Sequence, residues 1–153
     1  MTEQEERVAV IKEAKTWLKT PFHHEGRLKH VGVDCGQLEA MVFPAVMPRL
    51  GEIRPPFYRF QHHLNSQSED YIAQLEKYAT EIPESKAQPG DIVIYKFGRT
   101  FSHAGIIVDP WPGLIINAVS GFGVIYTHGT TDGFIAGRPR RFFNPWLGPT
   151  KQS

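Results

Sequence analysis

Hydrophobic spacing changes character midway along the chain, and this is the tightest constraint on its fold. The first half carries helical periodicity. The second half holds five short runs rich in β-branched and aromatic residues, PGDIVIYKF (89–97), HAGIIVD (103–109), LIINAV (114–119), GVIYT (123–127) and FIAG (134–137), separated by turn residues. Such runs predict an antiparallel meander. Helices first and strands after predict an α+β fold with the helices packed on one face of the sheet. At 153 residues, with no internal repeat or low-complexity tract, the sequence fits one domain over 1–153.

Two helices carry start signals. Thr2 and Glu5 have capping-box spacing, and Val8, Ile11, Ala14 and Leu18 follow at helical intervals, which predicts a helix over 3–19 stopped by Pro21. Ser66 and Glu69 repeat that spacing ahead of Tyr71, Leu75, Tyr78 and Ile82, which predicts a helix over 67–81. Between them, 20–34 reads as a loop. A short helix starts at Cys35 behind the N-cap residue Asp34, with Leu38 and Val42 on its face, and ends or kinks at Pro44. The proline-rich, aromatic stretch 48–65 reads as an irregular excursion suited to a lid, a specificity wall or simple packing.

Seventeen Lys and Arg against 16 Asp and Glu leave a formal charge of +1, so nucleic acid and anionic membrane are not expected partners. The acidic, polar start MTEQEERVAV is unlike a secretory signal, and no run reaches membrane-spanning length. The expectation is a soluble protein made in the cytoplasm without an export signal.

Cys35 is the single cysteine, so no internal disulfide is possible. A lone thiol is commonly a small buried hydrophobe. Its neighbours suggest more. It stands where a loop gives way to a helix, where the first-turn amides favour a thiolate. His103 opens a strand in SHAGIIV, and Asn117, after the D-P-W-P-G turn, occupies the next strand, where the two side chains can meet. Cysteine, histidine and asparagine form the papain-type combination, in which the imidazole takes the thiol proton and the amide orients the ring.

These segments resemble the NlpC-type cysteine peptidases of bacterial and phage cell-wall enzymes. TPFHHEGRLKHVGVDC is similar to that family's pre-nucleophile loop, PGDIVIYKF to its G-D strand, SHAGIIV to its S-H-[VA]-G-[IL] strand and IINAV to its I-H-A strand, together spanning residues 17–119. The H-H-x-x-R-L-K run is most like the branch encoded with phage tails. The resemblance implies a papain-like fold with Cys35 as nucleophile, His103 as general base and acid, and Asn117 as the orienting residue. It also implies a substrate: peptidoglycan stem peptides, cut between a γ-linked D-glutamate and a diamino acid, with phage tail proteins as partners and no cofactor. Asn117 stands where histidine is commoner, and Phe22 where many members carry tyrosine. His23 or His24 is positioned to replace that hydroxyl as a donor to the oxyanion, beside the backbone N–H of Cys35. Gly36 and Gln37 replace a Ser-Gly pair. Asp34 matches an acidic position linked to the free amine of a stem peptide, a role compatible with capping the helix.

Seven histidines lack HExxH or finger spacing, so no metal is expected. The RPRR run at 138–141 reads as a solvated strand end, and Trp111 and Trp146 as packing over sheet edges. Two rival functions remain at this stage: an acyltransferase or amidase of the same fold, which product masses separate from a hydrolase, and a catalytically silent tail module, which the pH dependence of Cys35 alkylation separates from a primed enzyme.

Overall fold

A computed structural model describes residues 1–54 and 70–151. Among the described residues, three helices, α1 (Glu3–Lys15), α2 (Cys35–Val46) and α3 (Asp70–Glu76), accompany eight strands. Strands β1 (Arg27–Leu28) and β2 (Gly32–Val33) make a small hairpin inside the expected loop. The main sheet comprises β3 (Thr80–Ile82), β4 (Ile92–Phe97), β5 (Thr100–Ile107), β6 (Leu114–Val119), β7 (Gly123–His128) and β8 (Arg140–Asn144) in the order β3-β8-β4-β5-β6-β7. Every pairing in it is antiparallel. The α+β architecture is as expected.

The capping box of α1 is present in both directions: Thr2 accepts the Glu5 N–H at 3.1 Å, and the Glu5 carboxylate accepts the Thr2 N–H at 3.0 Å. The helix stops at Lys15, short of the expected 19, and its inward face is rotated from the apolar stripe read in the sequence. Val8 is exposed, whereas Glu6, Arg7, Val10 and Ala14 are buried. Charges turn inward there because partners await them. Arg7 donates to Asp91 at 2.9 Å beneath the Trp146 ring, and Glu6 pairs with Arg49 at 2.6 Å.

Both faces of the sheet are covered. Ile92, Ile94, Ala104, Ile106, Ile116 and Ala118 pack against α1 and α2, while Val93, Tyr95, Ile107 and Ile115 face a second cluster with Ile135 and Phe142. Trp146 edges Phe43 in the first cluster and Trp111 edges Phe142 in the second, so both tryptophans pack as expected.

Three elements depart from the sequence reading. Phe134–Gly137 is a turn and not a strand, with Ile135 held by the Asp132 carbonyl. The helix expected over 67–81 is helical from Asp70 to Glu76; Tyr78 and Ala79 lie in the following turn, Thr80–Ile82 forms β3, and residues 67–69 fall outside the described residues. The unforeseen β8 pairs on both sides, with β3 and β4. Its basic residues are committed: Arg140 binds Glu84 and Arg141 binds Glu81. Helix α2 runs two residues past Pro44. Of the 48–65 excursion, a 3-10 turn at Pro48–Leu50 and buried Ile53 are seen, and 55–65 lies outside the described residues.

Candidate active site

Asp34 starts α2 as the sequence indicates. One carboxylate oxygen accepts the Gln37 N–H at 2.9 Å, and the other accepts the Glu25 N–H at 2.6 Å, tying the preceding loop to the helix start. The loop closes tightly enough that a Cβ on Gly26 would lie 2.6 Å from the Gly32 backbone, which requires glycine there. Cys35 is thereby fixed at the first helical position, half-buried, with its Sγ 3.6 Å from the Ser102 carbonyl oxygen.

The base side is built on the sheet. The β4–β5 register slips between Tyr95/His103 and Lys96/Phe101, leaving Ser102 as the extra residue of a bulge, a device that re-aims side chains beside a site. His103 follows it. The β5–β6 pairs Ile106↔Ile116 and Ile107↔Ile115, extended by the same register, set Gly105 opposite Asn117. His103 and Asn117 are therefore diagonal neighbours, within reach of a ring across a residue that has no side chain. Their contact is short, His103 Nε2 to Asn117 Oδ1 at 2.8 Å. Asn117 is fully buried, and its Nδ2 donates to Thr127 Oγ1 at 2.8 Å and to the Ile125 carbonyl at 3.2 Å. With the amide nitrogen committed to two acceptors, the oxygen faces the ring. That assigns the proton to Nε2 and leaves Nδ1 as the basic nitrogen. Phe97 and Phe134 flank the imidazole at 5.4 Å each.

Cys35 and His103 line one cavity of about 670 Å³, together with Phe22, His24 and Asp34. Asn117 supports it from beneath. His23 is exposed, its Nδ1 set 3.0 Å from the His24 carbonyl oxygen, and it does not line the cavity. His24 sits between two carboxylates, 3.8 Å from Glu25 and 3.9 Å from Asp34. Among the described residues no three His, Cys, Asp or Glu side chains converge as metal ligands.

The electrostatics correct one expectation. Burial pushes the Cys35 thiol up from its ordinary value, the Asp34 and Glu39 charges push the same way, and the Ala104 and Gly36 N–H groups only partly offset them. The helix start alone does not favour a bare thiolate; ionisation at this site has to be paired with proton uptake by a neighbour. Glu39, one turn beyond Cys35, is completely buried. Its Oε2 accepts the Tyr71 hydroxyl at 3.3 Å, and its Oε1 has no hydrogen-bond partner among the described residues. Burial pushes its carboxyl up to about 8.

Several of these residues escaped the sequence reading. Thr127 was within reach of it, since alternation along β7 sets it diagonal to Asn117. The Ser102 bulge, the Phe134 turn and the Glu39–Tyr71 contact have no local sequence signal.

No protein-family model and no curated protein matches the chain. Solved structures do. The NlpC/p60 domain of the peptidoglycan hydrolase SagA matches with a TM-score of 0.63 at 20% identity over 88% of this chain and 96% of that one. The resuscitation-promoting-factor-interacting protein RipA matches with a TM-score of 0.62 at 21% identity over 93% of this chain and 62% of that one. An NlpC/P60 family protein from Bacillus cereus gives a TM-score of 0.59 at 16% identity, over 88% of this chain and 39% of that one. The chain thus spans less than two thirds of the latter two. An N-terminal helical layer, a helix opened by Cys35 and an antiparallel sheet bearing His103 and Asn117 together make this an NlpC/p60 fold.

Proposed function

We propose that the protein is a cell-wall hydrolase that cuts amide bonds of peptidoglycan stem peptides by a cysteine acyl-enzyme mechanism. The observation that carries the reading is the 2.8 Å contact from Asn117 Oδ1 to His103 Nε2 beneath a cavity shared by His103 and Cys35. His103 Nδ1 takes the Cys35 proton as Sγ attacks the scissile carbonyl, and the imidazolium then protonates the leaving amine as the C–N bond breaks. Water, deprotonated by the same nitrogen, attacks the thioester and releases the acid and the free thiol. The Cys35 backbone N–H, in a helical turn without intrahelical carbonyl partners, is the oxyanion donor, with His24 as the side chain at hand. Asn117 holds the ring throughout.

The bond assigned is γ-D-glutamyl to diamino acid, supported by the resemblance of the four motifs and by the peptidoglycan hydrolase among the structural neighbours. A phage-tail setting is supported by the resemblance of the H-H-x-x-R-L-K run. Recovery of the protein in purified particles is the expected result, and a purely cytosolic distribution contradicts it. For the reaction, defined muropeptides incubated with the parent and with Cys35→Ala are read by mass spectrometry. Cleavage by the parent alone, with a gain of one water across the products, is expected. No change with either protein overturns the wall substrate, and transfer of a group in place of water would establish an acyltransferase.

A further inference from the structure

The contact with Asn117 fixes one atom of the His103 ring and leaves the tilt of its plane to other neighbours. Phe97 and Phe134 set that tilt. Their rings lie 5.4 Å each from the imidazole and 6.3 Å from one another, so the three close a triangle. Neither phenylalanine stands in the middle of a strand. Phe97 is the last residue of β4, beyond the register slip that follows Tyr95, and Phe134 belongs to the turn ahead of β8; both are half-buried and line the cavity.

Arg138 joins the two. Its Nε donates to the Phe134 carbonyl at 2.7 Å and its Nη1 to the Lys96 carbonyl at 3.2 Å, while the guanidinium carbon lies 3.7 Å from the Phe97 ring centroid. The backbone closes the same seam, with the Lys96 N–H donating to the Pro139 carbonyl at 3.0 Å. Arg140 and Arg141 end on glutamates, whereas Arg138 directs its fork to two main-chain oxygens and an aromatic face, a combination that suits a planar cation with several donors and not an ammonium. We propose that Arg138 is a positioning residue for the catalytic base: by tying the Phe134 turn to the end of β4 it keeps the His103 ring in the attitude from which Nδ1 takes the Cys35 proton. Arg138 does not line the cavity, so its influence on the reaction passes through the two rings. The inference rests on the roles that the hydrolase reading gives Cys35 and His103, and not on the substrate.

The test is the rate of Cys35 alkylation by iodoacetamide, a small neutral probe, across pH in the parent, Arg138→Ala and Arg138→Lys. Below the ordinary thiol range of about 8.5 the imidazole has to take the proton, and above it hydroxide does so unaided. Arg138→Ala is expected to react about tenfold more slowly than the parent below that range, a fraction of the cost of removing the base, and to converge on the parent above it. Arg138→Lys keeps the charge without the fork and is expected to follow Arg138→Ala. Slowing that is equal at every pH would mark a general loss of packing and overturn the proposal. Parental rates in Arg138→Lys overturn it too, whatever the alanine variant does, including a failure to fold. Loss of alkylation below the thiol range together with no cleavage of any muropeptide by the parent would remove the wall substrate and leave the positioning role standing. A parent that reacts as an ordinary thiol would remove the Cys35–His103 pair, and this proposal with it.

Discussion

The base half and the nucleophile half of the site are built to different standards of polar satisfaction. On the sheet, each hydrogen-bonding group that orients the base has a partner: His103 meets Asn117, and Asn117 meets Thr127 and Ile125. Along α2, the Oε1 atoms of Gln37 and Glu39 are buried without hydrogen-bond partners among the described residues, and the Cys35 thiol is pushed up by burial. The difference shows where order is needed. A general base works from one tautomer and one orientation, which a satisfied network fixes. A thiol that ionises only as its proton leaves for the imidazole gains nothing from a site that stabilises its anion beforehand. It needs only to be held at a helix start facing the base.

The largest effect expected is at the base itself: His103→Ala lowers kcat by about a thousandfold or more, with the fold retained by circular dichroism. Asn117→Ala comes next, at about a hundredfold in kcat, because the ring loses its orienting acceptor while Cys35 and His103 stay in place. It also leaves Thr127 buried without its Asn117 partner, at a cost of about 1–3 kcal/mol in denaturant unfolding. An unchanged kcat in Asn117→Ala would erase the contrast between the halves.

On the helix side, Glu39→Gln acts on stability and its pH dependence. Glu39 ionises at about 8 in the folded chain, against about 4.3 when unfolded. Between those values the folded state binds more protons than the unfolded one, so stability falls as pH rises, and the loss is complete above pH 8. Removing the group flattens the slope by about one proton and raises stability at pH 8 relative to pH 5, by urea titration at each pH. An unchanged slope would show that Glu39 is not buried as an acid. The smallest effect expected is at Gly105→Ala. The new Cβ would lie 2.8 Å from Ile115 Cδ1 and 3.3 Å from the Ile116 carbonyl oxygen, forcing β5 and β6 slightly apart for about 1 kcal/mol. Activity should fall further than stability, because His103 and Asn117 face each other across this position.

What could be read in advance follows the same division. Strands β4 to β7 were legible because they are β-branched runs that end in turn residues, and the pairing of His103 with Asn117 followed from adjacent strands. The starts of α1 and α2 were legible because caps are local chemistry. Periodicity misplaced the inner face of α1 because it counts apolar residues, whereas Arg7 and Glu6 are buried through distant Asp91 and Arg49. Strand β8 was hidden by its charges, which pair with Glu81 and Glu84 from far along the chain. FIAG looked like a strand but buries only Ile135 within a turn.

The pairing of Cys35 with His103 is tested most directly by the rate of Cys35 carboxymethylation across pH, in the parent and in His103→Ala. The account predicts that the parent reacts rapidly well below the free-thiol range of about 8.5, because the imidazole takes the proton as Sγ attacks the reagent. It predicts that His103→Ala reacts only above that range, because burial then acts on the thiol unopposed. Superimposable profiles in the two proteins, both rising at the ordinary thiol value, would contradict it.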